Sequence, residues 1–148
     1  MIILAGCKGE QTGLSTNEAL KVESEVRQLF DHYFEAVRRD GLTGEFQYLD
    51  HSSDFFWVPP GYHNPVSYDS VAAVLTLNAP RFALVENTFY TLRIVPLSTS
   101  LATYTAKLRS VMKDTAGNVS SVNLIETGVV IKRKDGWKLL SGQTSLLN

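Results

Sequence analysis

The end of the chain constrains the fold most. Lys134-Asp135-Gly136 has the composition of a tight turn, and a largely apolar run ending at Arg133 precedes it. Beyond the turn, Trp137, Leu139, Ser141, Gln143 and Ser145 alternate along one side of an extended segment. The spacing predicts a closing β-hairpin whose inner face begins as core and turns polar toward the chain end. A strand of that kind can wall a ligand pocket. A three-residue loop with Gly136 in the left-handed conformation would pair Arg133 with Trp137, Ile131 with Leu139 and Val129 with Ser141. Thr127 would then face Gln143 and Ile125 would face Ser145, leaving Glu126 pointed away from the pocket.

Three further segments, residues 83–96, 100–113 and 119–133, are long and rich in Thr, Val, Tyr and Ile, with short turns between them. Strands this long imply a strongly curved antiparallel sheet, because flat ones would expose too much apolar surface. The first half of the chain reads differently. Ser15 and Glu18 have the spacing of a capping box, and Val22, Val26, Leu29, Phe30, Tyr33, Phe34 and Val37 form one helical stripe. Arg38, Arg39 and Gly41 close that helix. A short second helix is expected within residues 44–50, with Phe46 and Leu49 inward, then a strand over residues 54–58 ended by Pro59-Pro60-Gly61. A third helix runs from Ser67 or Tyr68 to about Ala79, stopped before Pro80, with Val71, Val74 and Leu75 inward.

Helices first and strands after define an α+β fold, a strongly curved antiparallel sheet wrapped around a long N-terminal helix plus two shorter ones. Curling the sheet around the first helix leaves a cone-shaped cavity. With 148 residues this is one domain, residues 15–148, behind a leading segment, residues 1–14. Hydrophobic residues at 44% and charged residues at 20% exclude a disordered or fibrous chain. A net charge of −1, with Lys132-Arg133-Lys134 the densest basic cluster, argues against nucleic-acid partners.

The single cysteine, Cys7, excludes an internal disulfide and a multi-cysteine metal site. Leu4-Ala5-Gly6-Cys7 resembles the bacterial lipobox, in which the cysteine is lipidated after cleavage of the segment before it. The apolar Met1 to Gly6 fits the end of a signal segment, although a basic start and most of the apolar region are missing from it. The polar, glycine-containing stretch from Lys8 to Leu14 would serve as a tether behind the anchor. A lipid-anchored domain of the bacterial cell envelope is therefore expected, its only membrane attachment through Cys7. If the match is chance, the expected location is the cytoplasm.

Three stretches carry a resemblance. Leu29 to Gly41 is similar to a first helix with spaced aromatic, alanine and aspartate positions. Leu49 to Gly61 is similar to a short helix running into a first strand, and Lys134 to Leu140 with Ser145 to a closing strand that begins Asp-Gly-Trp. In their order they resemble the nuclear-transport-factor-2-like superfamily, in particular its SnoaL-like members, from about Glu18 to Ser145. The resemblance implies the cystatin-like cone, dimers formed through the open sheet face, and in some members proton transfer next to a carbonyl. Tyr33 stands where an oxyanion-binding tyrosine would be. The catalytic aspartate position falls at about Pro59, which can do no acid–base work. Gln143 replaces the frequent histidine of the final strand and cannot shuttle a proton near neutral pH.

The expected pocket is lined by Tyr33, Trp57, Tyr62, His63, Tyr68 and Gln143. With its base missing, it points to binding of a small, partly apolar ligand or a protein partner without catalysis. The alternative is an isomerase, cyclase or dehydratase using Tyr33 with His63 or Glu126, were Glu126 to face inward. A third reading is an oligomerisation module, a homodimer joined through Val122, Leu124, Val130 and Leu140 on the face opposite Trp137. His32, His51 and His63 are too scattered to hold a metal, Ser141 and Ser145 lack triad partners, and no glycine-rich nucleotide loop is present. No metal and no cofactor are expected.

Overall fold

The computed structural model describes residues 13–147; the lipobox-like stretch and Cys7 lie outside the described residues. Helix α1 (Thr16–Asp40) begins at the expected capping box: Ser15 Oγ accepts from the Glu18 amide, and the Glu18 carboxylate accepts from the Ser15 amide at 2.9 Å. Gly41, at φ 73°, ends it, its N–H bonding back to the Val37 carbonyl. Val22, Val26, Leu29, Phe30 and Val37 of the predicted stripe are buried, with Ala36 beside them.

The second helix is a 3-10 helix, Gly41–Tyr48, and starts earlier than expected. Its position is set by Gly44, whose missing Cβ lets the backbone lie directly on the Ala36 carbonyl of α1. Strand β1 (Phe56–Val58) and helix α2 (Tyr68–Asn78, capped by Ser67) follow. A 3-10 turn, Ala79–Arg81, then leads into β2 (Phe82–Ser98), β3 (Leu101–Asp114), β4 (Val119–Arg133) and β5 (Gly136–Leu146). The sheet order is β1-β5-β4-β3-β2, with β1 parallel to β5 and the other pairs antiparallel.

Four register shifts bend this sheet, three along β2 and one in β5. Bulges increase local twist, which is how strands of this length curl around a helix. The core sits in the concave face. Phe30 of α1 meets Tyr104 at 4.7 Å and Phe89 at 5.4 Å, both edge-on, with Ala102, Ala106, Val130, Trp137 and Leu139 around them. An ion pair fixes the other end: Arg133, itself exposed, donates from Nε and Nη2 to the buried Asp50 carboxylate at 2.7 and 2.9 Å.

The closing hairpin corrects the expected register. Its loop has two residues, so Arg133 pairs with Gly136 and Lys132 with Trp137. Val130 then opposes Leu139, and Leu140 is the extra residue of a bulge. Beyond the bulge the expected pairs hold: Val129 with Ser141, Thr127 with Gln143, Ile125 with Ser145. Because side chains alternate with period two, one inserted residue exchanges the faces. Trp137 and Leu139 point inward as expected, but Gly142 and Thr144 replace Gln143 and Ser145 on the inner side. Gln143 is exposed, and its side-chain amide donates to Ser145 Oγ. The same shift turns Glu126 into the cone.

The face assigned to dimer contacts changes with it. Val130 is fully buried in the core and Leu124 lines the cavity, so neither is available to a partner. The sheet's outer face carries Ile125, Val129 and Ile131 instead.

Candidate functional site

The cone encloses a cavity of about 500 Å³ between the sheet, α2 and the 3-10 helix. Most of its wall is apolar, including Phe34, Leu49, Phe55, Val71, Leu75 and Leu108. Its polar groups are few: Tyr33, Glu45, Tyr62, Ser70, Asn87, Ser110, Glu126 and Thr144. A concave apolar site with a handful of placed polar groups is the usual form of a small-molecule pocket.

Three of the six pocket residues expected from sequence line this cavity. Tyr33 reaches it from α1, Trp57 from β1, and Tyr62 from the mouth, where Pro59 and Pro60 also stand. The other three lie elsewhere. His63 is exposed in the loop, where nothing folds it inward. Tyr68 packs on Phe55, its ring 4.2 Å from that of His51, and so belongs to the support of α2. Gln143 is on the outer face because of the Leu140 bulge.

A hydrogen-bond chain crosses the wall. Trp57 Nε1 donates to Thr144 Oγ1 at 3.0 Å, and Thr144 donates to Glu126 Oε2 at 2.9 Å. The Tyr104 hydroxyl meets Glu126 Oε1 at 2.5 Å. Burial raises the Glu126 carboxyl above its ordinary value, against the pull of these two hydroxyls. Gly128 and Gly142 make the arrangement possible. A Cβ at Gly128 would come 2.8 Å from the Tyr104 ring, and one at Gly142 would come 2.5 Å from the Trp57 ring.

Glu45 is the second acid. It enters from the 3-10 helix beside Tyr33, and burial pushes its carboxyl up to about 7. The Tyr33 phenol opposes that rise by favouring the ionised form, and the Glu126 charge adds to it. The Tyr33 and Tyr104 phenols are pushed well up, first by burial and then by the neighbouring carboxylates. A carboxyl near 7 can take or give a proton at neutral pH. The inward acid that the Pro59 position lacks is thus supplied twice, from other elements.

Glu45 and Tyr104 escaped sequence reading for different reasons. Glu45 sits in a short mixed stretch, Gly41 to Tyr48, whose 3-10 geometry departs from α-helical spacing. Tyr104 left a visible sign, since Ala102, Tyr104, Ala106, Leu108 and Ser110 alternate as one buried face. Among the described residues no group of three or more His, Cys, Asp or Glu stands together as a metal site. No described helix is long and apolar enough to cross a membrane.

The fold defined by this helix, curved sheet and cavity is the nuclear-transport-factor-2-like cone. No protein-family model matches the chain, and no curated protein matches it. Solved structures do. A candidate scytalone dehydratase from Novosphingobium aromaticivorans superposes with a TM-score of 0.78 at 11% identity, over 90% of this chain and 89% of that one. A nuclear transport factor 2-like superfamily protein from Salmonella enterica gives 0.72 at 15% identity, over 87% and 93%. A type 2 hexachlorocyclohexane dehydrochlorinase gives 0.70 at 13% identity, over 90% of each chain. At these identities the likeness is one of fold.

Proposed function

We propose that the domain binds a small, partly apolar molecule inside the cone. The observation that carries this reading is the cavity of about 500 Å³ with apolar walls and two inward carboxyl groups. That volume is within the range of small-molecule pockets, roughly 300–1,000 Å³. A thermal-shift and native mass spectrometry screen of small ring compounds tests it. Compounds that raise the melting temperature should bind one per chain and change Trp57 fluorescence; loss of binding in Leu108→Trp, which fills the cavity, would locate them there.

One observation favours a second reading, proton transfer next to a carbonyl. Glu45, held near 7 beside the Tyr33 phenol, has the protonation balance of a general base. The similar folds that bear the names dehydratase and dehydrochlorinase support asking for such chemistry. Exchange of the α-hydrogens of a cyclic ketone into deuterated water, followed by NMR, is the assay. Exchange that disappears in Glu45→Gln supports this reading, and an unchanged rate in the variant overturns it.

The lipobox-like Leu4-Ala5-Gly6-Cys7 supports placing the domain in the cell envelope on a lipid anchor. The intact mass of protein purified from its native host tests that placement. A mass with unmodified Met1 removes it.

A further inference from the structure

Both carboxyl groups that line the cavity lack a basic partner there. Glu45 enters from the 3-10 helix and Glu126 from β4, and among the described residues no Lys, Arg or His lines the cavity. Basic side chains that pair with acids do so elsewhere: Lys132 with Glu25, Arg133 with Asp50, Lys138 with Asp135. Among the described residues, the other elements around the cavity bring only the phenols of Tyr33, Tyr62 and Tyr104 as titratable groups. Helix α2, β2 and β5 bring none.

Hydrogen-bond direction sharpens the picture. The Trp57 indole can only donate, so Thr144 Oγ1 accepts from it and gives its own proton to Glu126 Oε2. That oxygen accepts, as either a carboxylate or the carbonyl oxygen of a protonated carboxyl can, and burial works against the charged form. An anion among apolar walls is costly without a compensating cation. A neutral carbonyl ligand could take hydrogen bonds from Ser70, Asn87 and Ser110, but it would leave both carboxyl groups without a counter-charge, and Tyr33, Tyr104 and Thr144 are already turned to those carboxyl groups. An ammonium group brings donors and charge together, and the aromatic side chains of Phe34, Phe55, Trp57 and Tyr62 line the same cavity as surface for its apolar body.

We propose that the cavity takes an organic cation, an amine whose apolar body fills the cone and whose ammonium group meets Glu45 and Glu126. The proposal rests on the binding reading above. It also makes binding pH-dependent. Glu45 loses its proton near 7, so a ligand that stays protonated binds more tightly as pH rises through that value.

Isothermal titration calorimetry with naphthylethylamine, naphthylethanol and naphthylacetate, matched in body and differing in charge, tests the class. The amine is expected to bind at least about tenfold more tightly than the alcohol, with the carboxylate weakest. Its affinity should rise between about pH 6 and about pH 8 while that of the alcohol stays flat. This comparison needs only the unaltered protein. Glu45→Gln and Glu126→Gln, each checked for folding by circular dichroism, should bring the amine toward the alcohol. An alcohol or carboxylate that binds as tightly as the amine overturns the cation proposal and leaves cavity binding standing. No binding by any of the three overturns both.

Discussion

The Trp57 indole donates to the Thr144 hydroxyl at 3.0 Å, tying the short first strand to the last one across the cavity wall. Thr144 is itself buried, and its hydroxyl accepts from the indole and donates to Glu126. Thr144→Val keeps the shape and removes both bonds. It should cost about 1–3 kcal/mol in urea unfolding, because an indole N–H and a carboxyl oxygen lose their partner. Thr144→Ser should restore most of that.

Gly142 is required where the Trp57 ring lies on β5. A methyl group there would also press on the Thr127 carbonyl at 2.6 Å, which is backbone and cannot turn aside. Gly142→Ala should destabilise by about 1–3 kcal/mol and displace the indole, weakening near-ultraviolet circular dichroism. Unaltered stability would mean that the strand shifts freely at this point.

Glu45 gives stability a definite slope with pH. Its folded carboxyl titrates at about 7 against an ordinary value of 4.5, so the folded chain binds more protons between those values. Stability should therefore fall as pH rises from about 4.5 to about 7, and Glu126, also raised, adds to the trend. Urea midpoints across this range measure it. Glu45→Gln should flatten the slope.

Asp50 behaves oppositely. The Arg133 guanidinium holds its carboxyl below the ordinary 3.8, so the pair's stabilisation is full above that value and is lost as pH falls further. Arg133→Gln leaves a buried charge with Ser52 as its remaining side-chain partner. Since Arg133 itself is partly exposed, the expected loss is about 1–3 kcal/mol, read by thermal unfolding at neutral pH.

The outer sheet face supports a homodimer proposal on different residues from those first expected. Ile125, Val129 and Ile131 carry it. Light scattering at micromolar concentration should give twice the chain mass, and Val129→Lys should give the monomer. A monomer without any substitution removes the proposal.

Much of the architecture was legible in residue order because its signals are local. The capping box at Ser15 and Glu18, the stripe from Val22 to Val37, and the strands with their short turns follow from helical or two-residue spacing. The cone followed from strand length and the order of the elements. Residue order did not reveal the bulge at Leu140, because nothing in Leu139-Leu140-Ser141 tells which residue will be left without a partner.

By itself, then, the closing segment from Lys134 to Leu146 determined a hairpin, an inward Trp137 and Leu139, and a polar end to the cavity wall. Tertiary structure alone decided which polar residues face inward. One residue inserted into a period-two strand replaced Gln143 with Thr144 and brought Glu126 into the cone. Glu45 reached the same cavity only because Gly44 could lie against Ala36 on a helix already packed in place. Periodicity is written along the chain, whereas the meeting of Glu45, Tyr33, Tyr104 and Glu126 depends on how separate elements are packed, and no spacing in the sequence encodes that.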